Sequence, residues 1–385
     1  KFDKTAAVRY LLSPPPERGQ QTMLARICKQ ARIGTKTIIN ENNLTSYFRE
    51  RLGSHVKILK TKRTFPGISR ETYLVWTQEG NAEGSYIFRT DSPGGPICPV
   101  PLEYEYKIMA HLFRTPVPVA EPLWFDAAPE VTNGRPVMVR RMVDGSNEIA
   151  GLYDDGEAAA ARRQRVAFEH AEKLAVLHTL DLKASGFDLF VDLPASPEQA
   201  ARHDFDRWTG IWREVRTDPM PLVTEASNWL EEHLPRTAAR ISLCKGNNGM
   251  GEEIWKDDKI AALSDWELAF AGDPAQDWAL SQGMLTLGDA KATIAHYEQA
   301  AGFTIDQSSL DFYRVWEVWK AIPTLNNGLR SFLDGTDQSV ARLNLGFGRV
   351  KLFEQLLGMM IGKPMDEAAA IVTKWRKSPY RPEAK

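Results

Sequence analysis

A chain of 385 residues and 43.3 kDa is longer than one hydrophobic core usually organises, so two lobes or domains are expected. With 43% hydrophobic and 25% charged residues and a formal net charge of −2, it has a globular composition and lacks the basic excess of a nucleic-acid or anionic-membrane binder. The three cysteines, Cys28, Cys98 and Cys244, are scattered and show no Cys-x-x-Cys spacing, which argues against a disulfide framework and a cysteine metal site. No signal-type apolar region and no run of membrane-spanning length is evident. The expectation is a cytoplasmic protein.

In chain order, residues 1–53 form an N-terminal accessory segment. A Pro14-Pro15-Pro16 break is followed by helix-compatible stretches, Gln21 to Ala31 and Asn43 to Leu52, the latter with Leu44, Tyr47 and Phe48 on one side. From residue 54 the texture becomes strand-like. Val56 to Lys60, Thr72 to Trp76 and Ser85 to Arg89 are β-rich runs separated by turn residues, as in an antiparallel sheet. Glu103 to Phe113 reads as a helix, and Pro136 to Met142 as a further strand before the Asp144-Gly145 turn. Residues 54–145 thus make a small β-rich lobe.

Helices dominate residues 146–385. Glu157 to Leu180 carries apolar residues near helical spacing. Ser196-Pro197-Glu198-Gln199 reads as a helix start, since serine accepts from free amides and proline fits the first turn. Further helices are expected over 221–234, 274–287, 309–334 and 338–360. The fold class is therefore α+β, a small antiparallel lobe followed by a large helical one.

The most informative stretch is Leu243 to Glu267. Two short apolar strands joined at Lys256-Asp257-Asp258 make a hairpin, which directs Lys245-Gly246-Asn247 and Glu252 before it, and Asp265 after it, toward one cleft. A carboxylate there suits Mg²⁺, which prefers hard oxygen ligands when it bridges nucleotide phosphates.

Lys259 through Ala279, with Asp265-Trp266-Glu267, Gly272-Asp273-Pro274 and Asp277-Trp278-Ala279, resembles the aminoglycoside phosphotransferase and choline-kinase-like family, whose fold is protein-kinase-like and two-lobed. The resemblance extends over roughly residues 56 to 360. It implies that Asp265 binds Mg²⁺ and that Asp273 and Asp277 brace the loop and the next helix. It also implies that Gly67 and Ser69 lie in the turn covering a nucleotide, ATP or GTP, that Arg89 contacts its phosphates, and that Glu105 holds Arg89. The segment from Gly134 to Gly145 resembles the strand that becomes the hinge beside adenine, and Leu174 to His178 matches the central helix of the large lobe. Read alone, Arg89 and Glu105 would pass as a surface ion pair, Gly67 as a hairpin glycine and His178 as a satisfied core residue.

The family's catalytic loop reads His-Gly-Asp followed by an Asn, whereas an ungapped count back from Lys259 places Lys245-Gly246-Asn247 and Glu252 there. A loop shifted by one residue would bring Asn248 or Glu253 into play instead. An amide cannot take a proton from a hydroxyl, though its oxygen can orient one. General-base assistance contributes about 10²–10⁴-fold, so conventional transfer would be slowed. Glu252 is a candidate metal ligand or relocated base, and Lys245 a candidate phosphate or acid–base group. Phe205, Trp208 and Trp212 are candidate walls for an apolar or aromatic substrate, though such residues are more often core packing than pocket walls. Three functions remain open: an atypical Mg-nucleotide phosphotransferase, a lyase or dehydratase working without nucleotide, and a non-catalytic pseudokinase.

Overall fold

The computed structural model describes residues 39–64, 69–249 and 251–362. The Gln21 to Ala31 stretch and Gly67 lie outside them. Helix α1 (Glu41–Leu52) starts where the Asn40 side chain accepts from the Asn43 amide, and buries Leu44, Tyr47 and Phe48. It covers the outer face of a five-stranded antiparallel sheet: β1 (Val56–Arg63), β2 (Arg70–Glu79), β3 (Ala82–Asp91), β4 (Pro122–Asp126) and β5 (Val137–Arg141), in the order β1-β2-β3-β5-β4. Alternation puts Tyr86, Phe88, Val137 and Val139 against α1 and turns Ile87, Arg89, Met138 and Arg140 to the opposite face. That face meets α2 (Leu102–Leu112), whose first turn supplies Glu105.

The chain enters the large lobe beside Ser146, which bridges to Trp255. Helix α3 (Glu157–His178) runs through the lobe's core, with Val166, Ala171, Leu174 and Leu177 fully buried. Helices α4 (Ala200–Val215) and α5 (Pro221–Glu232) follow. Two small antiparallel pairs come next. Strand β6 (Ser242–Cys244) pairs with β9 (Phe270–Gly272), and β7 (Glu253–Lys256) forms a hairpin with β8 (Lys259–Leu263). Asp257 and Asp258 turn the hairpin with positive φ, as two-residue hairpin loops require.

Short helices α6 (Ala275–Leu280) and α7 (Gln282–Leu285) lead to α8 (Ala290–Ala301) and the long α9 (Gln307–Leu333), then α10 (Val340–Asn344) and α11 (Lys351–Ile361). The expected single helix over 274–287 is thus two, broken at Ser281, whose hydroxyl bonds the Asp277 carbonyl. Among the described residues, no helix is long and apolar enough to cross a membrane.

Candidate active site

The β6–β9 and β7–β8 pairs bring three chain segments together. Lys245-Gly246-Asn247 leaves β6, Glu252 precedes β7, and Asp265-Trp266-Glu267 follows β8. Asp277, fully buried in the first turn of α6, organises the first segment. Its carboxylate accepts from the amides of Lys245 (2.7 Å) and Gly246 (2.8 Å) and from His178 Nε2 (2.9 Å). Burial alone would raise its pKa, but these hydrogen bonds hold it below the usual value. His178 bonds Tyr297 through its other nitrogen at 2.7 Å and stays in the core. Gly246 has φ of 72°, and a Cβ there would overlap the carbonyl oxygen of Leu268. Only glycine fits this turn.

Asp265 adopts φ of 60°, a left-handed conformation that aspartate tolerates better than bulky residues. One carboxylate oxygen lies 3.0 Å from Arg89 and the other accepts from the Asn247 amide at 2.6 Å. Burial opposes its charge, but Arg89 and Lys245 outweigh it and keep the group ionised. Lys245 is completely buried, with its ammonium on the Asn247 carbonyl and 5.9 Å from the centre of the Trp266 ring. The Glu252 carbonyl accepts from both the amide and the hydroxyl of Ser264 at 3.0 Å, which fixes Glu252 beside Asp265. Burial and then the Asp265 charge push the Glu252 carboxyl up to about 7.

On the small-lobe side, Arg89 lies 3.3 Å from Glu105 and 3.7 Å from Glu267. Arg70 enters the same cluster. It contacts Glu267 directly, Glu105 at 3.4 Å and Asp91 at 2.9 Å, and donates to the Val100 carbonyl at 2.6 Å. Ser69 donates to Glu267 at 3.2 Å. Glu267 is also raised to about 7, by burial and then by Asp265. Asp265, Glu252 and Glu267 therefore crowd negative charge into a desolvated space, the condition a divalent cation relieves.

Beside the loop opens a cavity of about 600 Å³ that reaches Gly246 and Asn247. Trp208, Leu268, Val318, Leu325, Phe353 and Met360 are among its walls, with Arg314 and Arg349 also on its lining. Of the three aromatic residues expected at a substrate pocket, Trp208 lines this cavity. Phe205 and Trp212 are buried in the lobe core, Phe205 with its ring 5.5 Å from that of Trp316. Their helical spacing put all three near one face, but that face is divided between core and cavity.

The sequence did not single out Arg70 or Glu267 as site residues. Glu267 is the last residue of the Asp265-Trp266-Glu267 run, and Arg70 directly follows Ser69. Neither position signals a charge partner, because Arg70 and Glu267 are 197 residues apart.

The two lobes, the β7–β8 hairpin between them and the Arg89–Glu105 pair define a protein-kinase-like fold. Residues 63–313 match the model of the phosphotransferase enzyme family, APH. The chain belongs to that family. It is 25% identical over 244 residues to acyl-CoA dehydrogenase family member 11 of Mus musculus, covering 62% of this chain and 30% of that protein. With family member 10 of Mus musculus it shares 26% over 255 residues, 63% of this chain and 22% of that protein. The chain thus spans less than a third of the length of either relative.

Among solved structures, a Ralstonia eutropha protein assigned as an aminoglycoside phosphotransferase superposes with a TM-score of 0.60 at 20% identity, over 82% of this chain and 96% of that one. A thermostable mutant of an aminoglycoside phosphotransferase, in ternary complex with AMP-PNP and hygromycin B, gives 0.51 at 15% identity over 81% and 98%. A macrolide 2'-phosphotransferase of type I gives 0.51 at 17% over 81% and 96%. At these identities the likeness is one of fold.

Proposed function

We propose that the protein is an atypical phosphotransferase that passes a phosphoryl group from an Mg-bound nucleoside triphosphate to a hydroxyl of an apolar small molecule. The observation that carries this reading is the position of Asn247. It touches Asp265 at 2.6 Å on one side and lines the apolar cavity on the other. Asp265 and Glu252 fit a metal, since their crowded carboxylates supply hard oxygen ligands. Arg89 fits the phosphates, and its hold on Asp265 and Glu105 keeps it in place. The bound metal–nucleotide would supply the phosphoryl group and neutralise its charge.

The chain's own groups do the rest. With its amide nitrogen given to Asp265, Asn247 keeps its oxygen to accept from a substrate hydroxyl. With Glu252 given to the metal, the hydroxyl proton passes to an oxygen of the transferred phosphoryl group as the new O–P bond forms, in a reaction that rests on positioning and charge neutralisation more than on a base. The walls of the cavity exclude water and select an apolar acceptor. The near-neutral Glu252 beside a buried lysine also favours a second reading, acid–base chemistry on the same substrate without nucleotide.

Equilibrium binding of Mg-nucleotide to the purified chain separates the two. The expected result is Mg-dependent binding that Asp265→Ala weakens by at least about tenfold, with product formed from apolar alcohols only when nucleotide is present. Absence of binding at millimolar nucleotide, or conversion in nucleotide-free buffer, would overturn the phosphotransferase reading.

A further inference from the structure

Arg140 has no part in the charge cluster just described. It lies on β5 opposite Ile87 of β3, while Arg89, two residues along β3, lies opposite Met138. Alternation places Ile87, Arg89, Met138 and Arg140 on the cleft-side face of the sheet, because Val137, Val139, Tyr86 and Phe88 pack under α1. Arg140 thus stands one cross-strand step from Arg89, toward the chain crossing at Gly145 and Ser146. There the Gly145 backbone lies so close to β7 that a Cβ would come 2.6 Å from the Trp255 carbonyl oxygen.

The cleft carboxylates are already engaged. Glu105 and Glu267 lie with Arg70 and Arg89, and Asp265 with Arg89 and Asn247. Among the described residues, none forms a hydrogen bond or ion pair with the Arg140 guanidinium. Desolvation and then repulsion by Arg89 depress its pKa to about 10, so its charge is tolerated in this place without a partner. An arginine on a strand can turn outward, as Arg141 does toward Glu121 and Tyr86. Arg140 instead presents five N–H donors to the cleft.

We infer that Arg140 selects the base of the nucleotide and that the preferred donor is a guanine nucleotide. The inference rests on the phosphotransferase reading above. With Arg89 on the phosphates, the row of cleft-facing residues runs from the phosphate end at Arg89 to the interlobe crossing, and the base falls along Arg140. A guanidinium donates only. Guanine offers two adjacent acceptors, N7 and O6, and arginine meets that edge with a bidentate pair. Adenine offers N7 and an N6 amino group, so one arginine N–H would face another donor. Discrimination by one bidentate pair is worth roughly 5- to 100-fold in affinity.

The test is equilibrium dialysis or calorimetry of the full chain with Mg-GTP, Mg-ATP and Mg-ITP, for wild type, Arg140→Met and Arg140→Lys. Inosine keeps N7 and O6 but lacks the 2-amino group. The expected result is tighter binding of GTP and ITP than of ATP by wild type, with the preference collapsing toward unity in Arg140→Met. Arg140→Lys, which keeps the charge but not the planar fork, should retain binding and lose most of the preference. A thermal melt of each variant confirms folding, and removal of an unpaired charge should leave the midpoint unchanged or raised.

Equal affinity for GTP and ATP in wild type, or an unchanged ratio in Arg140→Met, would overturn the assignment of Arg140 while leaving the phosphotransferase reading intact. An equal loss of all three nucleotides in Arg140→Met would assign the residue to the phosphates and overturn base selection. If no nucleotide binds, both readings fall.

Discussion

Asn247 stands where a carboxylate would meet Asp265 head-on, since its amide nitrogen is 2.6 Å from Asp265 Oδ2. The amide makes that contact attractive, and Lys245, capping the Asn247 carbonyl, adds a positive charge to the same loop. Asn247→Asp exchanges a donor for a second acceptor in a largely buried place, so the variant should lose about 1–3 kcal/mol of stability without metal. Mg²⁺ placed between the two carboxylates would recover that loss, so the Mg²⁺-induced rise in Tm should be larger in Asn247→Asp than in wild type. Thermal melts in EDTA and in Mg²⁺ provide the measurement. An equal Mg²⁺ effect in both proteins would argue against a metal at Asp265. The substitution of asparagine for the expected base was visible in the sequence, but its consequence was not, because the sequence does not say how close Asn247 comes to Asp265.

At the scale of elements, the loop between β6 and the hairpin is held by backbone geometry as much as by side chains. Gly246→Ala would force a Cβ onto the Leu268 carbonyl while φ stays at 72°, and neither backbone can yield without releasing the amides that Asp277 holds. The expected cost is about 2–4 kcal/mol in a denaturant melt, together with loss of nucleotide binding. Retention of both would show that the loop has freedom that its contacts deny. The hairpin itself, the long α3 and the strands of the small lobe were legible in the sequence, because period-2 and period-3.6 patterns and turn residues are local signals. The Arg70–Glu267–Glu105–Arg89 cluster was only half legible. Arg89 and Glu105 were found through a family pattern, whereas Arg70 depends on a fold that brings the start of β2 against the end of β8. The division of α4 between core and cavity was not legible either, since the helix face records burial and not what does the burying.

For the whole molecule, the order of lobes could be read from the sequence, but the ties between them could not. Asn327 of α9 donates to the carbonyls of Pro96 (3.3 Å) and Ile97 (2.9 Å), and buried Arg342 of α10 pairs with Asp337 at 3.2 Å while reaching Ser92 and Gly95. These contacts fasten the segment between β3 and α2 to the large lobe over more than 200 residues of sequence. The folded molecule also buries acids whose titration shapes its stability. Asp273 is 3% exposed, and burial pushes its pKa up to about 6 from an ordinary 3.8. Because the folded value is the higher, the folded state binds more protons between those two values. The contribution is favourable below about pH 4, is lost as pH rises through 6, and is flat above. Asp273→Asn keeps the acceptor for the Ala275 amide at 3.0 Å, and the Tyr313 hydroxyl, which donates to the Asp273 carboxylate, can turn to accept from the new amide. Unfolding in denaturant should therefore show Asp273→Asn more stable than wild type by about 2–3 kcal/mol at pH 7.5. The gain should shrink to a few tenths of a kcal/mol near pH 4. A gain that did not depend on pH would mean that packing, and not the buried charge, separates the two proteins.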